Sequence, residues 1–349
     1  MYLLSLETAS PRTRYTQEDC HLIFSSSKAR SRMKKRSVIL MEKILLRNNG
    51  IDTRGFCYPD VETIFDAEPE KLNNVFEDSA PKLGTEALES ALQSAGLLAH
   101  ELDGLIVCTC TGYLCPGLSS YIAEQAGLRP DCELLDLVGM GCGAAIPSLR
   151  TAQHLFHTNA DIKVAVLAVE VCSAAFYLDD NPGVIISACL FGDGAAASIW
   201  TGQRPEKESW MLDSFQSLHV PANRQLLRFE NAKGALRNRL SKRVPEEAAK
   251  AVRELFDRSM ANGLAPESII LPHPGGRDVL DALHTQFSQL NFTDSRKVLR
   301  LNGNMSSPSI LYVLKSYLQD SDQKETSLWL SSFGAGFSAY SCVLGKFDP

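Results

Sequence analysis

Short apolar runs alternate with amphipathic stretches along most of this chain. The runs Gly104–Cys110 and Lys163–Val171 are apolar almost without interruption, the pattern of strands that are buried on both faces. The stretch 81–96 has helical spacing, with Pro81 predicted in its first turn and Gly96 just past its end. Alternation of this kind predicts an α/β protein, with mostly parallel strands and helices on both faces of the sheet.

The same patterns predict the remaining elements. The region 16–47 is expected to be largely helical, with an interruption near Ser25–Ser27 and a basic cluster from Lys28 to Arg36. Further strands are predicted at 2–7, 133–138, 194–200, 211–218, 268–271, 298–301, 327–331 and 336–344. Further helices are predicted at 117–126, up to 157, at 245–261, from 277 and up to 318.

Two parts of the chain carry these elements in the same order. DGLIVCTCTG corresponds to ESIILPHPGG, ELLDLVGMGCGAAIPSLRTA to KVLRLNGNMSSPSILYVL, and KVAVLAVE to TSLWLSSF. The correspondence indicates an internal duplication, with an N-terminal half at 1–205 and a C-terminal half at 206–349. Because ligands of such sheets bind beyond the carboxyl ends of strands, residues that follow corresponding strands are expected to converge.

The strongest candidate nucleophile is Cys142, in the sequence VGMGCGAA. It is predicted at the end of a strand and the start of a helix, where the helix terminus and a nearby imidazolium favour the thiolate. Gly139, Gly141 and Gly143 permit a tight turn and the close approach of a substrate. The alternative is a buried structural cysteine, the usual fate of a free thiol. The glycines and the position favour the nucleophile.

Two further candidates follow predicted strands in the C-terminal half. His273, in LPHPGG, can pair with a thiolate or donate a hydrogen bond to a carbonyl oxygen. Asn304, in NGNMSSPS, can donate to an oxyanion but cannot titrate, and it is also a common type of helix N-cap. Cysteine, histidine and asparagine in this order also occur in papain-like proteases. Those enzymes carry a CGSCW-type signature, and a protease gives no reason for the duplication.

Composition narrows the range of partners. Hydrophobic residues make up 44% and charged residues 22%, as in ordinary globular proteins, and a net charge of −6 argues against a nucleic-acid partner. No run approaches the ~18 apolar residues of a membrane span, and the N-terminus does not resemble a secretory signal. Ten scattered cysteines predict free thiols in a reducing cytoplasm. No metal site is expected, because Cys108, Cys110 and Cys115 fall in or near an apolar strand pattern.

Four motifs together resemble the thiolase superfamily and, within it, the chalcone synthase-like type III polyketide synthases. They are GMGCGAA at Cys142, LFGDGAAA at 190–197, HPGG at 273–276 and GNMSSPS at 303–309. Ketoacyl-ACP synthases III usually show HQAN and GNTSAAS, and true thiolases have a second cysteine instead of the asparagine. The resemblance, over about 83–344, implies a thiolase fold: duplicated mixed-sheet halves in a layered α-β-α-β-α arrangement.

The resemblance also implies a reaction. Cys142 would take a starter acyl group from an acyl-CoA, while His273 and Asn304 would hydrogen-bond the thioester carbonyl of malonyl-CoA. Decarboxylation would leave an enolate that attacks the acyl-Cys142 thioester, and the extended chain would cyclise to a pyrone or a phenol. Backbone N–H groups near Cys142 and in the FGAG turn at 333–336 are expected to stabilise the second oxyanion. CoA thioesters are then substrates, no cofactor is tightly bound, and a homodimer is expected.

The resemblance assigns a cavity and a CoA site as well. Phe191 matches an aromatic gate, and Asn238 stands where a second gating aromatic is common, which speaks against an aromatic starter. The other positions that match the cavity lining are Cys110, Thr111, Cys115, Cys172, Ala175 and Ser306, with Cys115 also matching a dimer contact. Lys43 and Arg47 are the candidates for binding the CoA phosphates, with the cluster from Lys28 to Arg36 as the alternative.

Two other functions stay open on the sequence alone. One is a condensing enzyme like ketoacyl-ACP synthase III, which would take its substrate from an acyl carrier protein. A basic patch at the tunnel mouth and dependence on malonyl-CoA would separate the two enzymes. The other is a catalytically silent binding protein with the thiolase fold, which an intact cysteine, histidine and asparagine set disfavours.

Overall fold

The computed structural model describes residues 1–232, 234–320 and 325–349. Its strands are β1 (Tyr2–Ala9), β2 (Arg14–Thr16), β3 (Thr53–Gly55), β4 (Gly104–Thr109), β5 (Glu133–Val138), β6 (Lys163–Glu170), β7 (Gly194–Thr201), β8 (Ser209–His219), β9 (Leu227–Ala232), β10 (Ala235–Leu240), β11 (Ile269–Pro272), β12 (Ser327–Gly334) and β13 (Ser338–Phe347). Its α-helices are α1 (Gln17–Ser26), α2 (Lys28–Arg32), α3 (Lys35–Leu46), α4 (Pro69–Ala95), α5 (Leu118–Ala126), α6 (Ala145–Phe156), α7 (Pro182–Leu190), α8 (Val244–Ala261), α9 (Arg277–Gln286), α10 (Thr293–Asn302) and α11 (Ser309–Leu318).

Nine of the strands form one mixed sheet, in the order β11-β12-β13-β8-β1-β7-β6-β4-β5. The pairs β4–β5, β4–β6 and β11–β12 are parallel, and the other neighbours are antiparallel. The mixed sheet implied by the family resemblance is therefore confirmed. The mostly parallel sheet predicted from alternation alone is wrong, because β7 and β13 each return antiparallel between two earlier strands.

The two parts of the chain use the same strand order. Reading toward the middle of the sheet, β4, β6, β7 and β1 match β11, β12, β13 and β8, and β5 is an additional strand outside β4. The predicted boundary at 205/206 falls in the segment between β7 and β8. The division into two halves remains a prediction, but the repeated order is the pattern that a duplication would leave.

One predicted strand is wrong, and its error breaks the repeat. Residues 298–301 lie inside α10, so β5 has no strand counterpart in the C-terminal part. Ser295, Val298 and Leu299 are buried, whereas Leu301 is exposed, which is the one-sided burial of an amphipathic helix. The short run VLRL resembles a strand only when the residues before it are ignored.

Helices lie in three layers around the strands. Helices α6 and α11 form the central layer, because α6 packs on β4, β6, β12 and β13, and α11 packs on β1, β7, β11 and β12. On the outer sides, α4 covers β1, β6 and β7, and α8 covers β8, β12 and β13. This is the α-β-α-β-α arrangement that the resemblance implied.

Two helical predictions need correction or refinement. The helix predicted at 81–96 begins earlier, so Pro81 lies inside α4, because Leu72, Val75 and Phe76 extend its buried face toward the N-terminus. The predicted helical region at 16–47 is three helices, and Ser27 both ends α1 and caps α2. Within the described ranges, no helix combines the length and apolar character needed to cross a membrane.

Candidate active site

One cavity collects five of the residues selected from the sequence. It has a volume of ≈ 370 Å³, and its lining includes Cys142, Phe191, Asn304, Lys43 and Arg47. These residues come from segments that are far apart in the chain. The candidate nucleophile, donor, gate and CoA-binding cations therefore face the same space.

Cys142 lies in a tight 3-10 turn that leads into α6, and the end of β12 packs directly against that turn. A side chain at Gly334 would bring its Cβ within 2.7 Å of the Gly143 backbone nitrogen. Gly141 has a positive φ of 61°, and a Cβ there would lie 2.9 Å from the Ala335 nitrogen. Glycine is therefore required on both sides of the contact. The packing brings the FGAG turn against the turn of the nucleophile.

Cys142 is buried, at only 7% exposure, and this burial affects the protonation of its thiol. Desolvation raises the pKa of the Cys142 thiol to about 12, while hydrogen bonds with the side chains of Ser306 and Asn304 favour the thiolate and oppose part of this rise. The sequence predicted a resting thiolate. Burial opposes this thiolate, because charging the sulfur there costs its hydration.

His273 is also buried, at 1% exposure, and it is not among the described residues that line the cavity. Its backbone N–H donates to the Ser331 carbonyl at 2.7 Å, and its ring packs edge-on against Phe333, with 5.4 Å between ring centroids. Burial lowers the pKa of His273 to about 3, and neither ring nitrogen has a hydrogen-bond partner among the described residues. Burial therefore opposes the imidazolium that the sequence predicted. A neutral imidazole keeps one N–H donor, which a substrate carbonyl can satisfy.

Asn304 follows a helix, α10, instead of the predicted strand, and its side chain is fixed by two hydrogen bonds. The amide Oδ1 accepts from the Ser306 backbone at 2.8 Å, and Nδ2 donates to the Gly275 carbonyl at 3.1 Å. Asn304 does not cap α11, because the N-cap of that helix is Pro308. With one amide N–H already bound, the other is left to donate toward Cys142 or a ligand in the cavity.

Phe191 directly follows the last residue of α7 and is held to Asn304 through backbone pairing. Asn304 donates its N–H to the Leu190 carbonyl at 2.9 Å, and Gly192 donates to the Asn304 carbonyl at 3.0 Å. The next residue, Asp193, accepts hydrogen bonds from Cys57 and Ser173. The LFGDG motif therefore links the candidate gate to the candidate donor.

A buried carboxylate that the sequence analysis missed lies next to the nucleophile. Glu170 ends β6 and accepts hydrogen bonds from Cys110 Sγ at 3.2 Å, Thr111 Oγ1 at 2.9 Å and Ser307 Oγ at 2.7 Å. Cys110 also contacts Ser306, at 3.3 Å between Sγ and Oγ. An acidic residue closing the apolar run KVAVLAVE was the available signal, but charge in a sequence does not report burial.

The predicted cavity residues lie in several places, and their lining role stays a prediction. Cys110, Thr111 and Ser306 belong to the Glu170 network, and burial together with the Glu170 charge raises the pKa of the Cys172 thiol. Cys115 is exposed and Ala175 is half-buried. Asn238 is buried opposite Phe229 in the β9–β10 hairpin, and its Oδ1 has no partner among the described residues. None of these residues belongs to the cavity lining within the described ranges.

The cations at the cavity are more numerous than predicted. Lys43 and Arg47, at the end of α3, are joined in the lining by Lys242 and Arg277, which the sequence analysis did not select. Arg277 pairs with Asp278 at 3.3 Å, whereas Lys43, Arg47 and Lys242 form no ion pair with any described residue. The alternative cluster from Lys28 to Arg36 does not line the cavity. In the described ranges, no group of three or more His, Cys, Asp or Glu side chains is arranged to hold a metal ion.

Two family models match the chain. A model described as FAE1/Type III polyketide synthase-like protein matches residues 1–261, and a model of the C-terminal domain of chalcone and stilbene synthases matches residues 214–343. A 3,5-dihydroxyphenylacetyl-CoA synthase from Streptomyces toyocaensis is 28% identical, over 91% of this chain and 83% of that protein.

Solved structures share the fold. PKS-I from the brown alga Ectocarpus siliculosus superposes with a TM-score of 0.89 at 22% identity, covering 99% of this chain and 98% of that one. CsyB complexed with CoA-SH superposes with a TM-score of 0.87 at 21% identity, covering 100% of both chains. At these identities the likeness concerns the fold, and the thiolase fold expected from the motifs is confirmed.

Proposed function

This chain belongs to the FAE1/type III polyketide synthase-like family, and we propose that it extends an acyl chain carried on Cys142 with malonyl-CoA. The observation that carries the proposal is the single cavity into which Cys142, Asn304 and four cations converge. The two alternatives, a carrier-protein-dependent synthase and a silent binding protein, receive no support from the family models or the relative.

The first step is transfer of the starter acyl group. The Cys142 sulfur attacks the thioester carbonyl of an acyl-CoA, the carbonyl–sulfur bond to CoA breaks, and the acyl group remains on Cys142. The thiol proton must leave as the sulfur attacks, and His273 is the base proposed to take it. The imidazolium that forms would be stabilised by the negative charge that develops on the sulfur and the attacked carbonyl oxygen, which offsets the burial that otherwise keeps His273 neutral. The departing CoA thiolate then takes that proton, which restores neutral His273.

The second step is decarboxylation of malonyl-CoA. The bond to the carboxylate carbon breaks, CO2 leaves, and the electron pair moves into an enolate whose charge develops on the thioester oxygen. His273 and Asn304 are proposed to donate hydrogen bonds to that oxygen. A preorganised donor of this kind contributes about 10²–10³ in rate. The low pKa of His273 fits the role, because the imidazole stays neutral across the physiological range.

The third step joins the two units. The enolate carbon attacks the acyl-Cys142 carbonyl, a carbon–carbon bond forms, and the bond from sulfur to the acyl carbon breaks. The extended chain leaves on CoA, and the Cys142 thiolate that is released takes a proton from solvent before it is loaded again. The charge on the attacked oxygen is proposed to be stabilised by backbone N–H groups of the Cys142 turn and of the FGAG turn packed against it.

The CoA phosphates are proposed to bind the cations at the cavity. Lys43, Arg47 and Lys242 form no ion pair within the described residues, so their charges are available to an anionic ligand. Arg277 adds a fourth charge just after HPGG. CoA thioesters would thus serve as substrates, without a tightly bound cofactor. The related synthase is named for a dihydroxyphenyl product, and a phenol or a pyrone is the product class proposed here.

The exposed edge of the sheet is the proposed surface for a homodimer. Strand β5 is an edge strand that leaves Leu134 and Val138 exposed, and Tyr113 in the nearby loop is 75% exposed. The end of this loop packs against β5, since a Cβ added at Gly117 would lie 2.2 Å from the Asp136 carboxylate. Cys115 lies in the same loop. Light scattering should show a dimer. Val138→Asp should dissociate it, whereas the control Leu98→Asp, at an exposed leucine elsewhere, should not.

The enzyme is proposed to act in the cytoplasm, where its ten free thiols would stay reduced.

The direct test uses labelled malonyl-CoA with a panel of acyl-CoA starters, followed by mass spectrometry of the products. We expect a starter-dependent product that is longer by one or more two-carbon units, with labelled CO2 released when the free carboxylate is labelled. Cys142→Ala serves as the control for product formation. If no starter supports turnover of malonyl-CoA, the proposed function is wrong.

A further inference from the structure

Arg54, on β3, is a buried cation without a buried anion. Its side chain is 0% exposed, and it forms no ion pair with a carboxylate among the described residues. Its partners are neutral: the Gln17 side chain at 3.1 Å, the Ala188 carbonyl at 2.7 Å and the Phe191 carbonyl at 2.8 Å. Removing a charge from water is costly unless something compensates for it. The structure around Arg54 must therefore supply that compensation.

Part of the compensation comes from the Phe56 ring, whose centroid lies 5.0 Å from the guanidinium carbon, and part from the C-terminal end of α7. The last carbonyls of a helix have no partner within it, and that end carries partial negative charge. No basic residue lies in the last turn of α7 itself. Arg54 donates to the Ala188 carbonyl in the last turn and to the Phe191 carbonyl just after it, and Gln17, which accepts from Arg54, donates to the Cys189 carbonyl at 3.0 Å. Together, Arg54 and Gln17 cap the helix from outside.

The capped turn also holds the candidate donor. Asn304 forms both of its backbone hydrogen bonds with this turn. Its N–H donates to the Leu190 carbonyl at 2.9 Å, and its carbonyl accepts from the Gly192 N–H at 3.0 Å. Of the four carbonyls from 188 to 191, Arg54 and Gln17 therefore bind three, and the Asn304 N–H binds the fourth. Leu190, Phe191 and Asn304 all line the cavity. A shift of the turn would move both the gate and the donor.

A second contact acts on the residue just before Asn304. Gly303 has a positive φ of 69°, and a Cβ added there would lie 3.0 Å from Arg54 Cγ and 2.7 Å from the Leu190 carbonyl oxygen. The aliphatic part of Arg54 therefore packs against the backbone at Gly303, while the guanidinium holds the turn that pairs with Asn304. Two parts of one side chain constrain the same donor.

We propose that Arg54 is a positioning residue that sets the Asn304 amide and the Phe191 ring relative to the cavity. It does not touch the reacting atoms. The proposal rests on the function proposed above, because it assigns Asn304 to decarboxylation and Cys142 to loading. The turn of Cys142 is held by β12 instead, so loss of Arg54 should impair decarboxylation far more than loading.

The test measures both steps in the same variants. Arg54→Met should lower the rate of CO2 release from malonyl-CoA by about 10–100-fold, because small misplacements of a catalytic group have effects of this size. Acylation of Cys142 by a starter acyl-CoA, followed by intact-protein mass spectrometry, should stay within about threefold of wild type. Arg54→Lys should recover part of the loss, because it retains the charge but not the forked set of donors. Gln17→Leu should show a smaller shift in the same direction.

A control separates positioning from general stability. Leu88→Ala, in buried α4, should lower the melting temperature without changing the ratio of the two rates. If Arg54→Met slows loading and decarboxylation by the same factor, so that the ratio of the two rates is unchanged, the proposal is overturned. If Arg54→Met does not fold, an unchanged ratio in both Arg54→Lys and Gln17→Leu would overturn it.

Hydrogen exchange gives a readout that does not depend on turnover. In Arg54→Lys and Gln17→Leu, exchange should accelerate in segments 188–193 and 302–306 and stay unchanged in segment 139–145. Unchanged exchange around Asn304 would contradict the positioning role. A wild-type protein that does not turn over malonyl-CoA would instead refute the proposed function, so the two failures are distinguishable.

Discussion

The turns that carry Cys142 and Asn304 occupy corresponding places in the two parts of the chain, yet they are built differently. The Cys142 turn follows strand β5 and is packed against the end of β12. The Asn304 turn follows helix α10 and is paired with the end of α7, beneath Arg54. Each turn contains a glycine with positive φ, Gly141 or Gly303. In the proposed reaction the two turns serve different steps, loading and decarboxylation, and different elements of the fold support them.

The largest expected effect removes the nucleophile alone. Cys142→Ala should abolish the acyl-enzyme and all extended products, while CO2 release from malonyl-CoA should persist, because His273 and Asn304 remain. Intact-protein mass spectrometry and CO2 release measure the two activities. Extended products made by Cys142→Ala would show that the nucleophile is assigned wrongly.

The next variant reverses the comparison by removing the donor. Asn304→Ala should lower decarboxylation by about 10²–10³-fold, the usual effect of losing one oxyanion donor. Loading of Cys142 should change much less, since its attack does not need the malonyl donor. Single-turnover acylation is the control. Equal losses in both steps would mean that the two turns do not divide the chemistry.

A matched pair of glycine substitutions tests the separate supports. Gly334→Ala would place a methyl group against the Cys142 turn and should slow loading. Gly303→Ala would force a side chain into positive φ and against the Leu190 carbonyl, and should slow decarboxylation. Strain of this kind costs roughly 1–3 kcal/mol, so each affected step should slow by about 5–100-fold. If both variants slow the same step, the supports are not independent.

The resting protonation states give a pH prediction. The folded pKa of His273 is lowered to about 3 from 6.5, so its contribution to stability is present above pH 6.5 and is lost as pH falls toward 3. In His273→Gln the free energy of unfolding should fall less between pH 6.5 and pH 3 than in wild type, by a few kcal/mol as an order of magnitude.

A second pH prediction concerns Cys142. Its pKa, raised to about 12, predicts that alkylation by iodoacetamide still accelerates above pH 9. A plateau near pH 7 would indicate a thiolate instead.

The smallest expected effect concerns the cations that serve both steps. Lys43→Ala or Lys242→Ala should raise KM for acyl-CoA and malonyl-CoA alike, by roughly 3–5-fold, because partly solvated charges contribute about 1 kcal/mol or less. Lys35→Ala, at an exposed lysine outside the cavity lining, is the matched control. An effect on only one substrate would mean that the two CoA thioesters enter by different routes.

The sequence predicted the core of the fold because its strands are continuous apolar runs. Burial on both faces leaves a clear pattern, and β4 and β6 were placed within a residue of their observed ends. The antiparallel pairs were not predictable from alternation, since a pattern of burial does not report strand direction. The run at 298–301 was too short to separate a strand from the end of an amphipathic helix.

The candidate site was predicted in part for a different reason. Cys142 and Asn304 stand in glycine-rich turns, whose residue types are restricted by their geometry. Arg54, Glu170 and Lys242 were missed because a charged residue looks the same in a sequence whether it is buried, paired or facing a cavity. The β9–β10 hairpin was missed as well, since its alternating charged residues resemble an exposed loop.

One reaction tests the division of labour most directly: wild-type protein, a starter acyl-CoA and malonyl-CoA labelled in its free carboxylate, quenched over time. CO2 release and the acyl mass on the peptide that contains Cys142 are measured in the same samples. The account predicts acylation of Cys142 before extended product appears, with one CO2 released for each two-carbon unit added. Acyl mass on another residue, or extension without release of the labelled carboxylate, would contradict it.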